Sequence, residues 1–292
     1  MGTLAAVLLG LVQAVTEFLP VSSTAHLLLA GELLGESLGD ARFRAFVTII
    51  QTGTTLAVLV YFRDDLRRLA AAWFTGIRTG RPMGTADARL AWYIALGTLP
   101  AAVLGKLLEH RIEALGNGVI AFSLVFWGLV MAAAERFATH RREISDVTAR
   151  SALAIGVGQA LALVPGTSRS GSTITTGMLL GFSREAAARF RFLLSVPIIL
   201  GAGVYKLVKA LPVLRGEPSW RNATIVGTVV AAAAGYLVIG WLLRYLRTRT
   251  TYLFVVWRVV MGALVAVLLW QGVLPAADEA HAPPPSATAR PR

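Results

Sequence analysis

Residues 13–35 read QAVTEFLPVSSTAHLLLAGELLG, an apolar run interrupted by a carboxylate, a proline and three consecutive hydroxyls. Glu17 is the first acidic residue in the chain. An unpaired carboxylate at membrane depth costs a few kcal/mol at the least, so a cation, a buried basic side chain or a proton has to compensate it. Pro20 ends the first helix, and Ser22 or Ser23 can cap a second one whose free amides face an anion. Gln13 lies one helical turn before Glu17 and can add a carbonyl oxygen on the same face.

His26 follows Ser23 by three residues, which puts hydroxyl and imidazole on one helical face. That spacing suits a nucleophile beside a general base, and it equally suits a capping serine followed by an interfacial histidine.

The setting of this break is a membrane. The 292-residue chain is 55% hydrophobic and 15% charged, with a mean hydropathy of +0.65. Too little polar surface is available to cover a water-soluble globule. No cysteine is present, which excludes disulfides and thiolate sites. The net charge of +12 comes from basic residues lying between apolar runs, where anionic lipid headgroups are the expected partner and nucleic acid is not. The N-terminal MGTLAAVLLGLVQAV has no basic leader region and is expected to stay in the mature protein.

Six segments are long enough to span: about 43–62, 88–108, 117–137, 190–209, 223–243 and 252–271. Two more, 3–15 and 151–164, are short, and each runs into a proline-containing, hydroxyl-rich turn. Backbone in such turns is tolerated at membrane depth only when buried in protein or lining a wet cavity. Both therefore read as re-entrant helix hairpins and as places for a site.

The two breaks align, Gln13 to Ser23 with Gln159 to Ser168, allowing one residue of slippage. Three spans follow each. Since three is odd, the second copy is inverted, and the expected fold is all-α integral membrane with six transmembrane helices plus two hairpins in an inverted-topology repeat. A chance likeness of two apolar stretches is the competing explanation. The expected membrane domain is 1–274, with repeats at about 1–137 and 150–271, and 275–292 has the Pro and Ala bias of a disordered tail. Fifteen of the 28 basic residues fall on one side of this arrangement, which places that side in the cytoplasm and both termini outside.

The second break, VPGTSRSGSTITTGMLLG at 164–181, is richer still. Gly166 and Gly171 let backbone amides approach a ligand, Thr167, Ser168, Ser170, Ser172 and Thr173 supply hydroxyls, and Arg169 places a planar fork among them. An arginine keeps its charge at membrane depth, and its fork matches two phosphate oxygens. A glycine-serine turn with an arginine snorkelling to headgroups is the plainer alternative.

Together, QAVTEFLPVSSTAH and PGTSRSGST resemble the undecaprenyl-diphosphatase family, also called bacitracin-resistance proteins, with likeness from about Leu4 to Trp270 that includes FLLSVP. The resemblance implies a multipass enzyme of the bacterial inner membrane that removes the terminal phosphate of undecaprenyl diphosphate with a divalent cation, Mg²⁺ or Ca²⁺. Carried over by position, Gln13 and Glu17 fill the family's Glu/Gln-x-x-x-Glu motif, Ser22, Ser23 and His26 the SS(T)xH motif, and Ser168, Arg169, Ser170 and Thr173 the PGxSRSxxT motif. The chain departs in having Gln13 where many members have glutamate, and Arg191 where a small polar residue is more common.

The expected roles are catalysis by Glu17, Ser23, His26 and Arg169, phosphate binding by Ser22, Thr24, Gly166, Thr167, Ser168, Ser170, Thr173 and Arg191, and metal binding by Glu17 with Gln13. Attack by Ser23 with His26 as proton acceptor leads; attack by water or by His26 stays open. A lipid-phosphate flippase or transporter is the rival, because inverted repeats with broken helices recur in transporters. Pairing of protomers into a homodimer is left open.

Overall fold

The computed structural model describes residues 1–36, 40–113, 115–214 and 218–274. The expected tail at 275–292 lies outside these residues. Among them the chain is helical, with no strand beyond an isolated bridge between Arg142 and Phe182.

The first break forms as its residues dictate. Helix α1 (Thr3–Phe18) has 16 residues, about 24 Å at 1.5 Å per residue and too short to cross the hydrocarbon. Leu19 is extended before Pro20, and Ser22 then takes a left-handed φ of 77° to launch α2 (Ser23–Leu33).

The second break repeats the device. Helix α7 (Ala149–Leu161) starts from a capping box between Thr148 and Ser151 and ends in a turn containing Gly166 at φ 86°. Ser168, at φ 73°, then starts α8 (Arg169–Leu179), and its hydroxyl accepts from the Gly171 N–H at 3.1 Å. A left-handed serine is strained, and the same strain at the same place in both turns marks them as built alike.

Five helices are long and apolar enough to cross a membrane: α3 (Ala41–Tyr61), α5 (Ala86–Glu113, the apolar part to Leu108), α6 (Asn117–Phe137), α11 (Pro218–Thr248) and α12 (Tyr252–Trp270). The chain is thus a multipass membrane protein. The segment expected to span at 190–209 is not one regular helix. It consists of α9 (Arg184–Ile198), a π-turn at Ile199–Gly203 and α10 (Val204–Leu214). Pro197 removes one N–H from the ladder just before the π-turn, and Gly201 and Gly203 within it hold helix poorly.

A further helix, α4 (Arg63–Arg78), occupies what reads in sequence as a basic connection. Asp64 and Asp65 in its first turn offset the helix dipole, and Asp65 accepts from Arg189 of α9 at 3.0 Å.

Helix α1 packs along α11 and α11 along α3, while α7 packs along α5 and α6 along α12. The largest apolar cluster, including Phe18, Phe62, Ile155, Met178, Phe192 and Ile239, lies between these groups and holds the ends of both breaks.

Candidate active site

Glu17, near the end of α1, has both carboxylate oxygens engaged. Oε1 accepts from Arg169 Nη2 at 2.8 Å, across 152 positions of sequence. Oε2 accepts from Ser23 Oγ at 3.0 Å, Gln13 Nε2 at 3.3 Å and Gln51 Nε2 of α3 at 3.5 Å. Arg191 of α9 donates to the Glu17 carbonyl at 3.0 Å and lies 3.9 Å from Oε1. One carboxylate thus answers two guanidiniums, leaving a formal excess of positive charge around a site that sequence alone marked for an anion.

The two breaks are pinned directly to each other. Ser170 Oγ donates to the Phe18 carbonyl at 2.5 Å, so this hydroxyl, expected to meet phosphate, instead holds α8 against the end of α1.

His26 departs from its expected place. Its Nδ1 lies 2.7 Å from the Ser22 carbonyl, and its Nε2 lies 2.7 Å from Trp257 Nε1. A carbonyl only accepts and an indole N–H only donates, so the ring carries its proton on Nδ1 and uses its lone pair on Trp257. Neither nitrogen meets Ser23. The three-residue spacing brings the side chains to one face, but Ser23 turns back across the break to Glu17 while the imidazole reaches α12.

A residue outside both motifs binds them together. Arg258 of α12 is 0% exposed. It donates to the carbonyls of Pro20 (3.1 Å), Ser123 (3.2 Å), Leu124 (3.2 Å), Gly166 (3.2 Å) and Thr167 (3.1 Å). Its guanidinium therefore satisfies carbonyls from the first turn, the second turn and α6 at once. Gly171 makes room for it, since a Cβ there would come within 2.9 Å of Nη1, and a Cβ on Gly166 would meet the Ile120 carbonyl at 2.6 Å. The sequence signal was an arginine inside an apolar span, which implies a buried partner but does not say which.

Two cavities flank the Glu17–Arg169 pair. The larger, of about 170 Å³, is lined by Ser22, Ser23, Thr24, Gly166, Ser168 and Arg169 among others, so the N-termini of α2 and α8 both open onto it. Helix N-termini carry partial positive charge and unpaired N–H groups, which suit an anion. The smaller, of about 60 Å³, is lined by Arg191, Phe18, α3 threonines and the π-turn. Glu17, Gln51 and Arg169 border both.

Of the remaining expected residues, Thr167 and Thr173 are 0% exposed and line neither cavity, and their hydroxyls have no partner. Gln13 is buried behind Glu17 and lines neither cavity; its amide N–H orients the carboxylate. Gln51 was not foreseen, because a lone glutamine in an apolar span gives no sign of facing a site.

Residues 6–264 match the family described as Bacitracin resistance protein BacA. The chain is 71% identical over 280 residues to an undecaprenyl-diphosphatase of Anaeromyxobacter sp. (strain K), covering 96% of each. It is 68% identical over 290 residues to that of Anaeromyxobacter sp. (strain Fw109-5), covering 99% of this chain and 95% of the relative. With that of Myxococcus xanthus (strain DK1622) it shares 48% identity over 278 residues, covering 94% of this chain and 91% of the relative. Since the match runs from α1 into α12 and takes in both broken hairpins, the chain belongs to the bacitracin resistance protein BacA family.

Proposed function

We propose that this chain is an undecaprenyl-diphosphatase, hydrolysing the lipid diphosphate to undecaprenyl phosphate and inorganic phosphate and so recycling the carrier of cell-wall polymers. The observation that carries the chemistry is the row Arg169–Glu17–Ser23, with contacts of 2.8 and 3.0 Å on one carboxylate at the floor of a cavity fed by two helix N-termini. Its relatives' names supply the substrate.

In this reading the terminal phosphate sits in the larger cavity against the amide ends of α2 and α8, with Ser22, Thr24, Ser168 and Arg169 around it. Ser23 Oγ attacks the terminal phosphorus and its proton passes to Glu17 Oε2, the acceptor it already faces. The bond to the bridging oxygen breaks, and undecaprenyl phosphate leaves. Water then attacks the phosphoserine, releasing inorganic phosphate and restoring Ser23. Arg169, with phosphate as an alternative to Glu17, stabilises charge on the transferring group. His26 holds the Ser22 carbonyl and thereby the turn; Gln13 and Gln51 hold Glu17.

A divalent cation at this site would take most of its ligands from the substrate, because both Glu17 oxygens already accept from neighbouring side chains and two guanidiniums lie beside them. Glu17 is the one carboxylate at the cavities, and among the described residues no three His, Cys, Asp or Glu side chains converge. Mg²⁺ is commonly held by one or two carboxylates with substrate phosphates, whereas Ca²⁺ asks for about six to eight oxygens. Glu17 would hold the ion, with Gln13 positioning that carboxylate, and the ion would neutralise diphosphate charge.

We further infer an inverted repeat within a single membrane domain at 1–274, with halves at about 1–137 and 150–271 and with α9, the π-turn and α10 as the sixth span. Support comes from the matching left-handed serines and from each hairpin packing on a span of the other half, α1 on α11 and α7 on α5. The charge count favours an orientation with both termini outside, and the family's place in cell-wall carrier recycling favours the bacterial inner membrane. Release of phosphate from undecaprenyl diphosphate by purified protein in detergent, with no gradient present, tests the reading; uptake into sealed vesicles without hydrolysis would replace it with a transporter.

A further inference from the structure

The two cavities share Glu17, Gln51 and Arg169 but differ in their other walls. Hydroxyls and helix amide ends surround the larger. The smaller has Phe18, Ile198, Ile199 and Gly203 on one side and Thr48, Thr52 and Thr55 of α3 on the other. We propose that this smaller lobe, between α3 and the π-turn, seats the first isoprenoid units of the substrate's hydrocarbon tail. The proposal rests on the diphosphatase reading and adds the direction in which the tail leaves the site.

The threonine wall is more apolar than its composition suggests. Thr52 Oγ1 donates to the Ile49 carbonyl at 2.6 Å and Thr55 Oγ1 to the Gln51 carbonyl at 3.0 Å. The protons of these two are satisfied within α3, so drying their part of the wall leaves neither donor unpaired. The opposite wall is aromatic and aliphatic.

The lobe also reaches the exposed apolar surface of the helices. Ile198, Ile199 and Gly203 are half-buried, and Leu200 and Gly201 between them are exposed. A chain drawn from the bilayer can enter beside the π-turn without crossing water. Its charged head then meets Arg191 and Arg169 at the wall the two cavities share, and the terminal phosphate reaches the polar cavity beside Ser23 as Arg169 turns from Glu17 to it. The polar cavity is the wrong place for hydrocarbon, because a tail there would cover helix amides and hydroxyls.

The test uses the full chain in detergent with farnesyl diphosphate, and with an analogue carrying a photoreactive diazirine on its first isoprenoid unit. Absence of phosphate release by wild-type protein would remove the underlying diphosphatase reading. With release observed, Gly203→Leu should raise KM about tenfold, the worth of roughly two buried methylenes, and more than it lowers kcat. A Cβ at Gly203 meets only the Ile199 methyl, at 3.6 Å, so the backbone itself accepts the change. Should the variant fail to fold, the photolabel on wild-type protein decides alone. Labelling of Phe18 or of residues 198–203 supports the proposal; labelling of α2 or α12, no labelling, or an unchanged KM in folded Gly203→Leu overturns it.

Discussion

Ser23 Oγ donates to Glu17 Oε2 at 3.0 Å, across the strained turn that separates α1 from α2. The serine that sequence paired with a histidine thus has a carboxylate as its partner, and the same carboxylate is held from its other oxygen by Arg169. Ser23→Ala should abolish phosphate release. Glu17→Gln should lower kcat by about 10²–10⁴, the usual worth of a positioned base. His26→Gln should cost less than Glu17→Gln. Stopped reactions analysed by mass spectrometry should show a phosphate on Ser23, and a His26→Gln loss larger than that of Glu17→Gln would return the proton to the imidazole.

Arg169 is 35% exposed while Glu17 beside it is 7% exposed, so the arginine is the partner free to turn toward an incoming phosphate. Arg169→Ala should reduce kcat by about 10²–10³, the range seen when one oxyanion donor is lost. Arg169→Lys should recover little of this, because an ammonium cannot bridge two oxygens with a planar fork. Steady-state kinetics on farnesyl diphosphate checks both, and full activity in Arg169→Ala would end the proposed phosphate seat.

Arg258 holds five carbonyls, from both turns and α6. Arg258→Met should destabilise the protein by about 3 kcal/mol or more, since each buried acceptor left unpaired costs about 1–3 kcal/mol. Arg258→Lys should be intermediate. Thermal unfolding in detergent measures the loss, and phosphate release from the folded fraction should also fall, because the turns lose the cation that sets their peptide planes.

At some distance from the site, Glu135 at the end of α6 accepts from Arg184 of α9 and from both the backbone N–H (3.0 Å) and hydroxyl (2.9 Å) of Thr251. Its side chain is 2% exposed, so it clamps α6, α9 and the α11–α12 turn in a desolvated setting. Glu135→Ala should cost about 3 kcal/mol of stability, as expected when one member of a buried pair is removed. Once folded, the variant should keep its KM for farnesyl diphosphate, since the clamp borders neither cavity.

A chelator should lower phosphate release, and added Mg²⁺ should restore it at lower concentration than Ca²⁺, because the cavities offer one carboxylate and leave other ligand positions to the diphosphate. Titration of activity against each metal decides the order. Glu17→Gln should shift the metal concentration for half-activity upward.

Much of the site was legible because it depends on residue types that membranes rarely tolerate. Glu17 and Arg169 stood out as charges within apolar sequence, and the prolines of the two turns, Pro20 and Pro165, marked the breaks. The hydroxyls were legible as a group but not one by one. Ser170 turned out to tie α8 to Phe18, and Thr167 and Thr173 to be buried away from both cavities, although they lie in the same hydroxyl-rich run as Ser168. The interruption at Ile199–Gly203 was hidden because the stretch stays apolar throughout, so Pro197, Gly201 and Gly203 weaken the helix there without any polar residue to mark the break.

The sequence by itself determined a multipass helical membrane protein with two broken helical segments, and it marked their hydroxyl-rich turns as the proposed place for an anion, because hydrophobic length, proline position and unscreened charge are local properties. Only the tertiary structure decided that Ser23 faces Glu17, that His26 faces Trp257, and that Arg258 grips both turns. The reason is directional: a side chain's spacing along a helix fixes its face, but the acceptor it reaches belongs to whichever segment packs there, here as much as 238 positions away.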